Sequence, residues 1–394
     1  MKKKLIFVAE ALWVGGIESS LVNLLCQLDY DRFDVTCLIV RDYQDMAGRI
    51  PPQCRLLVAD RDRAVSFPET YRHRRLFYLT REPKNASGAR RLAWKVIRFL
   101  LRGREQSLYA SYIRHQMDGE SFDVCVIYSD RTAEIAVKAV KAERYCMYYH
   151  HGAMRRELHD ECGYRKSEKV IAVSEPLAQK LREFRPRYAE KIVSAGNLVN
   201  CKNVREMSLE QTDGFVPRAG VMIATVGRIA YEKGMDLAVR ACRRLVDGGI
   251  EDLRWYIVGE GPEMPALQKQ VSSLGLEDHI TLVGMRKNPY PFIRNADLYV
   301  QPSRVESFGL TIMEAAVLAK PIVSTGTDGA RGIITDGVNG TLCDADAESV
   351  AKAVRELLDR PELAERYRTY WAKHDFEADN KKTMDAFYRV AAGD

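Results

Sequence analysis

The stretch VESFGLTIMEAAVLAKPIVSTGTDGARG, residues 305–332, sets Glu306 and Glu314 eight positions apart on either side of an apolar run. We expect a helix to begin near Phe308, with Gly309 leaving room beside the free N–H groups of its first turn. Carboxylates only accept hydrogen bonds, so a pair of them suits the vicinal hydroxyls of a ribose or a hexose. The structural alternatives are a solvated helix residue for Glu314 and a partner of the helix dipole for Glu306. The stretch therefore predicts a helix end that binds anions and hydroxyls.

A second polar loop, GRIAYEKG at residues 227–234, follows an apolar run that reads as a strand at 221–226. Arg228 can fork two phosphate oxygens, and Lys233 adds a point charge nearby. The flanking glycines would clear space for a bulky polyanion. The alternative is a solvated ion pair with Glu232, but the presence of the two glutamates downstream favours a joint phosphate and sugar site.

Short β-branched runs alternate with amphipathic helical stretches along most of the chain. This alternation predicts an α/β protein with two doubly wound Rossmann-like domains facing a central cleft. Ligands in such sheets bind beyond the carboxyl ends of the strands. We expect strands at residues 5–8, 35–40, 123–128, 146–149, 170–173, 221–226, 254–258, 280–283, 298–300 and 322–324.

The polar stretch 197–220 predicts the linker between the halves. We therefore expect an N-terminal domain at residues 1–200, which carries a basic helical insertion at about 71–117. A C-terminal domain follows at 201–375, and a last helix occupies 376–394.

The bulk composition fits a folded protein, with 394 residues, 46% apolar and 29% charged. The apolar run after the first lysines is too short for a signal peptide, and no run reaches a membrane span of about 18 residues. The nine cysteines include no CxxC pair, which favours reduced thiols in the cytoplasm.

A basic block lies at residues 71–104, with eleven Lys or Arg against one acid. Its second part, 90–104, reads as a basic amphipathic helix, which can bind an anionic membrane surface. The alternatives are a helix that packs its apolar side on the domain and, more weakly, a nucleic-acid site, for which no binding module is visible. The cations proposed to meet the acceptor or membrane are Arg90, Arg91, Lys95, Arg98 and Arg102.

Four motifs, GRIAYEKG, IVGEGP, LVGMRKNPYPFIRNADLYVQPS and ESFGLTIME, resemble the retaining glycosyltransferases of the GT-B fold, family 4 type. The resemblance is strongest over residues 226–340. It implies transfer from a nucleotide-sugar, for which a UDP-sugar is the default and a GDP-sugar the next candidate. The basic block motivates the hypothesis of a glycan or lipid-linked acceptor of a bacterial-type surface polysaccharide or glycolipid. The resemblance also implies that the C-terminal helix returns to the N-terminal domain and that no cofactor or metal is required.

Carried onto this chain, the resemblance implies that Arg228 and Lys233 bind the donor diphosphate and assist departure of the leaving group. Glu306 would contact the donor sugar, and Glu314 would accept from the ribose hydroxyls. The remaining donor residues implied are Gly259, Met285, Arg286 and Lys287 near the base, with the backbone of Phe308, Gly309 and Leu310 near the sugar.

Two features of the N-terminal half complete the expected site. Gly15 and Gly16 end a βα turn, where close backbone approach and a helix N-terminus can hold a phosphate; an ordinary tight turn is the equal alternative. The resemblance favours His151 of "YYHHGAM" as the catalytic histidine that meets the sugar or phosphate. No third ligand accompanies the histidine pair, so we expect no metal there.

Three other functions remain open from the sequence. A nucleotide-sugar epimerase or a glycan phosphorylase can use a similar cleft, although the paired glutamates favour transfer and no pyridoxal lysine motif is visible. A catalytically degenerate partner subunit is the non-enzymatic alternative. Retention of Arg228, Lys233, Glu306 and Glu314 together argues against it.

Overall fold

A computed structural model of the chain describes residues 2–60, 64, 88–152, 154, 161–211 and 220–392. The first sheet is seven-stranded and parallel, in the order β3-β2-β1-β4-β5-β6-β7. Its strands are β1 (Lys3–Ala9), β2 (Phe33–Ile39), β3 (Arg55–Val58), β4 (Ser121–Ile127), β5 (Lys141–Tyr149), β6 (Lys169–Ala172) and β7 (Ile192–Ser194). The helices described with it are α1 (Gly16–Gln27), α2 (Gly88–Gln116), α3 (Ala133–Ala139), α4 (Glu161–Lys166) and α5 (Glu175–Phe184).

The second sheet is six-stranded and also parallel, in the order β10-β9-β8-β11-β12-β13. Its strands are β8 (Val221–Val226), β9 (Leu253–Val258), β10 (Ile280–Gly284), β11 (Leu298–Gln301), β12 (Ile322–Thr325) and β13 (Thr341–Cys343). The helices of this half are α6 (Cys201–Met207), α7 (Met235–Asp247), α8 (Met264–Ser273), α9 (Tyr290–Asn295), α10 (Leu310–Val317), α11 (Asp328–Arg331), α12 (Ala347–Asp359), α13 (Pro361–Lys373) and α14 (Phe376–Phe387).

The strand order of each sheet reverses direction at one place, between β1 and β4 and between β8 and β11. Loops that leave the carboxyl ends of these neighbours diverge, and the space between them is where doubly wound sheets bind ligands. The loops after β8 and β11 carry the two polar motifs, and those after β1 and β4 carry the glycine pair and Asp130. The expected doubly wound two-sheet fold is confirmed.

All ten predicted strands are present, but β3, β7 and β13 were missed. These three have four, three and three residues and lie at sheet edges. A run that short shows no periodicity, and these three strands are only partly buried at the edges, whereas β6, β11 and β12, also of four residues, are buried inside the sheets and were predicted.

The polar stretch 197–220 is not an irregular linker throughout, which corrects the sequence prediction. It contains α6, whose Cys201 and Val204 are both 2% exposed and pack in the core of the second half. These two apolar residues lie three apart on one face of the helix. Their burial stabilises a helix in a segment whose polar composition had predicted a loop. The domain boundaries themselves stay predictions.

The C-terminal helix returns to the first half, as expected. Phe387 of α14 is fully buried among residues of the first sheet and stacks on Phe7 with ring centroids 6.1 Å apart. This packing ties the end of the chain to β1.

The basic segment lies only partly within the described residues. Its backbone is helical from Gly88 in α2, as predicted for 90–104, but residues 71–87 and the side chains of Arg90, Arg91, Lys95, Arg98 and Arg102 lie outside them. The later turns of α2 pack Tyr112 and Ile113 into the first core. In the part of the chain that the structure describes, no helix is long and apolar enough to span a membrane.

Candidate active site

An ion pair joins the two polar motifs of the second half. Lys233 Nζ donates to Glu306 Oε2 at 2.6 Å. Lys233 follows β8 and Glu306 follows β11, its neighbour in the sheet. Their side chains are 24% and 10% exposed, so the pair is screened less than a surface ion pair. The residue predicted to bind phosphate and the residue predicted to bind sugar thus meet where the strand order of the sheet reverses.

A chain of buried polar side chains orients Glu306. Ser303 Oγ donates to Glu306 Oε2 at 3.2 Å and accepts from Gln301 Nε2 at 2.8 Å. Thr311 Oγ1 donates to Gln301 Oε1 at 3.0 Å. Gln301 and Ser303 are each 1% exposed, so these bonds are protected from water. Sequence reasoning missed both residues, although they lie in the quoted motif "YVQPS", where two polar residues follow a buried strand.

Backbone and side-chain bonds hold the two loops together. Arg304 N donates to Glu232 O at 2.8 Å, and the Arg304 guanidinium binds both carboxylate oxygens of Asp236 at 2.7 Å. Gly234 has φ 64°, and a Cβ there would lie 2.0 Å from Pro302 O. This glycine is required by the contact between the loops, and its predicted role in clearing space for a polyanion stays a prediction.

Arg228 pairs with Glu232 in this structure, the alternative raised from the sequence. The guanidinium is 65% exposed, so the pair contributes little to stability. Arg228 lies five residues before Lys233 in the same loop, and its predicted phosphate contact stays a prediction.

The helix after Glu306 begins two residues later than predicted. Gly309 has φ 94° and caps α10, whose first residue is Leu310. The left-handed backbone at Gly309 separates Phe308 from the helix, so the first free N–H groups of α10 belong to Leu310 and its successors. The predicted contacts of Phe308, Gly309 and Leu310 with a sugar stay predictions.

Glu314 is buried, which excludes the solvated-helix alternative. It is 5% exposed, and Tyr290 Oη donates to its Oε1 at 3.0 Å. Burial raises the pKa of Glu314 to about 7, while the hydrogen bond from Tyr290 acts in the opposite direction. A buried carboxylate with acceptor capacity left on it suits hydroxyl donors of a ligand.

The region expected to hold the base is the loop from Gly284 to α9. The side chains of Met285 and Lys287 are exposed, and Arg286 is intermediate. Gly259 N donates to Gly284 O at 2.9 Å, and a Cβ on Gly259 would lie 1.9 Å from Gly227 O. Gly259 therefore allows close packing of its loop against the loop that begins at Gly227. A role for it in ligand binding stays a prediction.

Gly15 and Gly16 differ in what surrounds them. A Cβ on Gly15 would lie 2.4 Å from the carboxylate of Glu18, whereas a Cβ on Gly16 would meet nothing within 4 Å. Glu18 is the third residue of α1, is 7% exposed and folds back towards Gly15. Burial raises the pKa of Glu18 to about 7. The open face that a ligand can approach is therefore at Gly16, and Gly15 accommodates a side chain of its own helix.

His151 is held by a buried acid that sequence reasoning missed. Its Nε2 lies 3.1 Å from Asp130 Oδ1, and the two side chains are 28% and 7% exposed. Burial opposes ionisation of Asp130, but the hydrogen bond and charge of His151 hold its pKa below the usual value. Because an ionised carboxylate only accepts, His151 Nε2 carries the hydrogen and its Nδ1 is left for a ligand.

The neighbouring His150 is part of the core instead. It is 7% exposed, its ring stacks on Tyr148 with centroids 5.5 Å apart, and burial lowers its pKa to about 3. It is therefore neutral at physiological pH.

Contacts between the domains bring His151 and Glu306 to the same cleft. Ser307 Oγ donates to His150 O at 2.7 Å, and Ser174 Oγ donates to Ser307 O at 2.9 Å. His151 directly follows His150, and Glu306 directly precedes Ser307, so the bonded residues are chain neighbours of the predicted catalytic histidine and glutamate. The tertiary structure thus places the N-terminal and C-terminal parts of the site face to face.

Two surface cavities of about 710 and 620 Å³ lie elsewhere, one against α13 and one beside the first residues of β1 and β2. Neither is lined by a predicted site residue. Within the ranges that the structure describes, no three His, Cys, Asp or Glu side chains come together as a metal site requires. Metal-independent catalysis stays a prediction.

Comparison with known proteins assigns the second half. Residues 215–374 match the family described as Glycosyl transferases group 1. The chain is thus similar to group 1 glycosyltransferases over residues 215–374, which we call the group 1 domain. The ion pair of Lys233 and Glu306, with Glu314 behind it, lies inside this domain. The resemblance noted from the sequence motifs is confirmed.

Curated relatives of the group 1 domain are glycosyltransferases by name. The chain is 30% identical over 211 residues to the alpha-D-kanosaminyltransferase of Streptomyces kanamyceticus, covering 51% of this chain and 54% of that protein. It is 29% identical over 190 residues to a GDP-mannose-dependent alpha-(1-6)-phosphatidylinositol dimannoside mannosyltransferase of Mycobacterium tuberculosis, covering 48% and 44%. The chain thus spans about half the length of these relatives.

The fold extends the likeness beyond the group 1 domain. The structure of Anabaena Alr3699/HepE in complex with UDP and glucose matches with a TM-score of 0.69 over 98% of this chain and 99% of that one. The sequence identity is 15%, so this comparison shows the GT-B fold and nothing finer.

Proposed function

We propose that the protein transfers a sugar from a nucleotide-sugar to a glycan or lipid-linked acceptor with retention of configuration. A UDP-sugar is the first candidate donor and a GDP-sugar the second. The observation that carries the proposal is the Lys233–Glu306 contact of 2.6 Å within the group 1 domain. It sets a cation for a leaving diphosphate against a carboxylate for a sugar hydroxyl.

In the proposed mechanism the C-terminal half binds the donor. Lys233, and Arg228 after exchange from Glu232, bind the diphosphate and stabilise the charge that develops as the bond to the anomeric carbon breaks. Glu306 binds hydroxyls of the sugar. Glu314 accepts from the ribose, since Tyr290, which donates to its buried carboxylate, directly follows the loop expected to hold the base.

The N-terminal half receives the acceptor. The acceptor oxygen bonds to the anomeric carbon on the face from which the diphosphate leaves, and its proton passes to a phosphate oxygen. His151, oriented by Asp130, would contact the sugar or phosphate through Nδ1. No carboxylate of the described site is needed as a nucleophile in this scheme.

We also propose that the enzyme binds an anionic membrane surface through α2, in the synthesis of a bacterial-type surface polysaccharide or glycolipid. Leu92 and Val96, four residues apart on α2, are 66% and 52% exposed. An exposed apolar strip in a basic helix supports interfacial binding. The mannosyltransferase relative is named for a phosphatidylinositol acceptor, which also supports a lipid-linked substrate.

The donor proposal is tested by thermal shift with UDP, GDP, ADP and their sugar conjugates, with and without magnesium. A ligand of the native state raises the midpoint by mass action. We expect a shift with one base family that is lost in Lys233→Ala. If no nucleotide shifts the protein and no sugar is released from any donor, the degenerate-subunit alternative replaces this proposal.

The membrane proposal is tested by sedimentation with vesicles of phosphatidylcholine alone or mixed with phosphatidylglycerol. We expect binding to the anionic vesicles only, and weaker binding in Leu92→Ser with Val96→Ser. Equal sedimentation with both vesicle types would contradict it.

A further inference from the structure

Arg49 of the N-terminal half reaches across to the loop expected to hold the donor base. It ends a short 3₁₀ helix, Ala47–Arg49, that follows β2. Its Nη2 donates to Lys287 O at 2.6 Å. Lys287 lies in the loop between β10 and α9 of the other half. A side chain of one domain is therefore bonded to the base loop of the other.

Both ends of this contact are anchored within their own domains. Met46 is 3% exposed, and its N–H donates to Leu12 O at 2.9 Å. On the opposite side Asn288 Nδ2 donates to Met207 O and to Glu210 Oε2, each at 2.8 Å. Because both segments are fixed, the Arg49 guanidinium has a defined position when the domains are together.

That position is also close to the carboxylate proposed to bind the ribose. Tyr290, which donates to Glu314, follows Lys287 by three residues. Burial raises the pKa of Glu314 to about 7, and the positive charge of Arg49 acts against this rise. The guanidinium thus bonds to the base loop and lies within electrostatic reach of Glu314, the carboxylate proposed to bind the ribose.

The chemistry of a guanidinium makes it selective among bases. It carries N–H donors and no acceptor. Uracil and guanine present a keto oxygen where cytosine and adenine present an amino group. A keto oxygen accepts from Arg49, whereas an amino group would set one donor against another.

We propose that Arg49 is a specificity residue that donates to a keto oxygen of the donor base, so that the site prefers uracil or guanine over cytosine or adenine. The inference rests on the proposed nucleotide-sugar function and deepens it. Since Arg49 comes from the domain opposite the base loop, this contact forms when the cleft is closed. Discrimination between bases would then depend on closure of the cleft.

The test is the dissociation constant of UDP against CDP, and of GDP against ADP, by isothermal titration. We expect the wild-type protein to prefer the keto member of at least one pair by about ten-fold or more, as for a hydrogen bond to a charged group. Arg49→Ala should reduce that preference below about three-fold by weakening only the keto member, and Arg49→Lys should be intermediate.

Arg144→Ala is the matched control, because Arg144 is a partly exposed arginine of the same domain. It lies in the first half of β5, away from the carboxyl ends of the strands, and is bonded to Glu168 at 2.8 Å. It should leave all four constants unchanged. A preference that survives Arg49→Ala, or an equal loss for both members of a pair, overturns the inference and leaves Arg49 as a link between domains. Absence of binding by the wild-type protein refutes the proposed function first, and this inference with it.

Discussion

The two halves of the site are built differently. In the C-terminal half three side chains, Lys233, Ser303 and Gln301, converge directly or in sequence on Glu306. In the N-terminal half His151 has one hydrogen-bonding partner among the described contacts, Asp130, from a different strand end, and an edge contact with the Tyr149 ring. The C-terminal half is thus preorganised before any ligand binds, whereas the N-terminal half depends on one bond and on contact with the other domain. This difference fits a half that binds a fixed donor diphosphate and a half that meets an acceptor.

The largest expected effect comes from breaking the C-terminal network at its cation. Lys233→Ala should lower kcat by about 10²–10³-fold, because a group that stabilises developing charge is lost and Glu306 is left buried without its partner. Turnover of the best donor from the panel measures it. Lys381→Ala, an exposed lysine on α14, is the control. A loss of less than about three-fold, far below the usual cost of removing a group that stabilises the transition state, would show that Lys233 only holds the loop.

A smaller loss is expected when the single support of the N-terminal half is removed. Asp130→Asn should lower kcat by about 10–100-fold, the range found when the partner that orients a metal-binding histidine is removed. Asp130→Asn added to His151→Ala should cause no further loss. Additive losses would mean that Asp130 acts independently of His151.

Glu314 allows a comparison by pH. Its folded-state pKa of about 7 lies above the usual 4.5, so the stability it contributes is complete below about pH 4.5 and is lost as pH rises through about 7. Glu314→Gln should therefore be more stable than the wild type at pH 8 by on the order of 1–3 kcal/mol, and similar at pH 5. Thermal unfolding at both pH values measures this.

Glu18 retains the same shift in that variant, so the fall in stability with pH should be reduced and not abolished. Glu314→Gln should at the same time bind the donor more weakly at pH 8. If its stability falls with pH as steeply as that of the wild type, Glu314 is not buried as described.

The smallest effect separates the two adjacent glycines. Gly15→Ala should destabilise the fold by about 1 kcal/mol, because the added Cβ meets the Glu18 carboxylate, while Gly16→Ala should be neutral or slightly stabilising at a helix start. Gly16→Ala should instead weaken donor binding, since the open side lies there. Unfolding midpoints and donor affinity measure the pair, and Glu18→Ala should rescue Gly15→Ala. Equal effects at both glycines would contradict this division.

The sequence determined most of the fold and named the candidate residues of the C-terminal half of the site. The alternation of strands and helices fixed the two parallel sheets, and the spacing of Arg228, Lys233, Glu306 and Glu314 identified loops after neighbouring strands. These features are local, because a buried strand shows as a short apolar run and a motif lies within one loop. Where the elements were short or polar, as in β3 and α6, the pattern failed because packing decided them.

Only the tertiary structure decided which side chains meet. Asp130 and His151 follow different strands, Ser307 and His150 lie in different domains, and Arg49 reaches a loop 238 positions away. No spacing in the sequence encodes such pairs, since they depend on sheet order and on how the domains face each other. Burial likewise exists only in the fold, and it raises the pKa of Glu314 and assigns the space beside Gly15 to Glu18. The sequence named the charged groups, and the fold determined their partners and their environment.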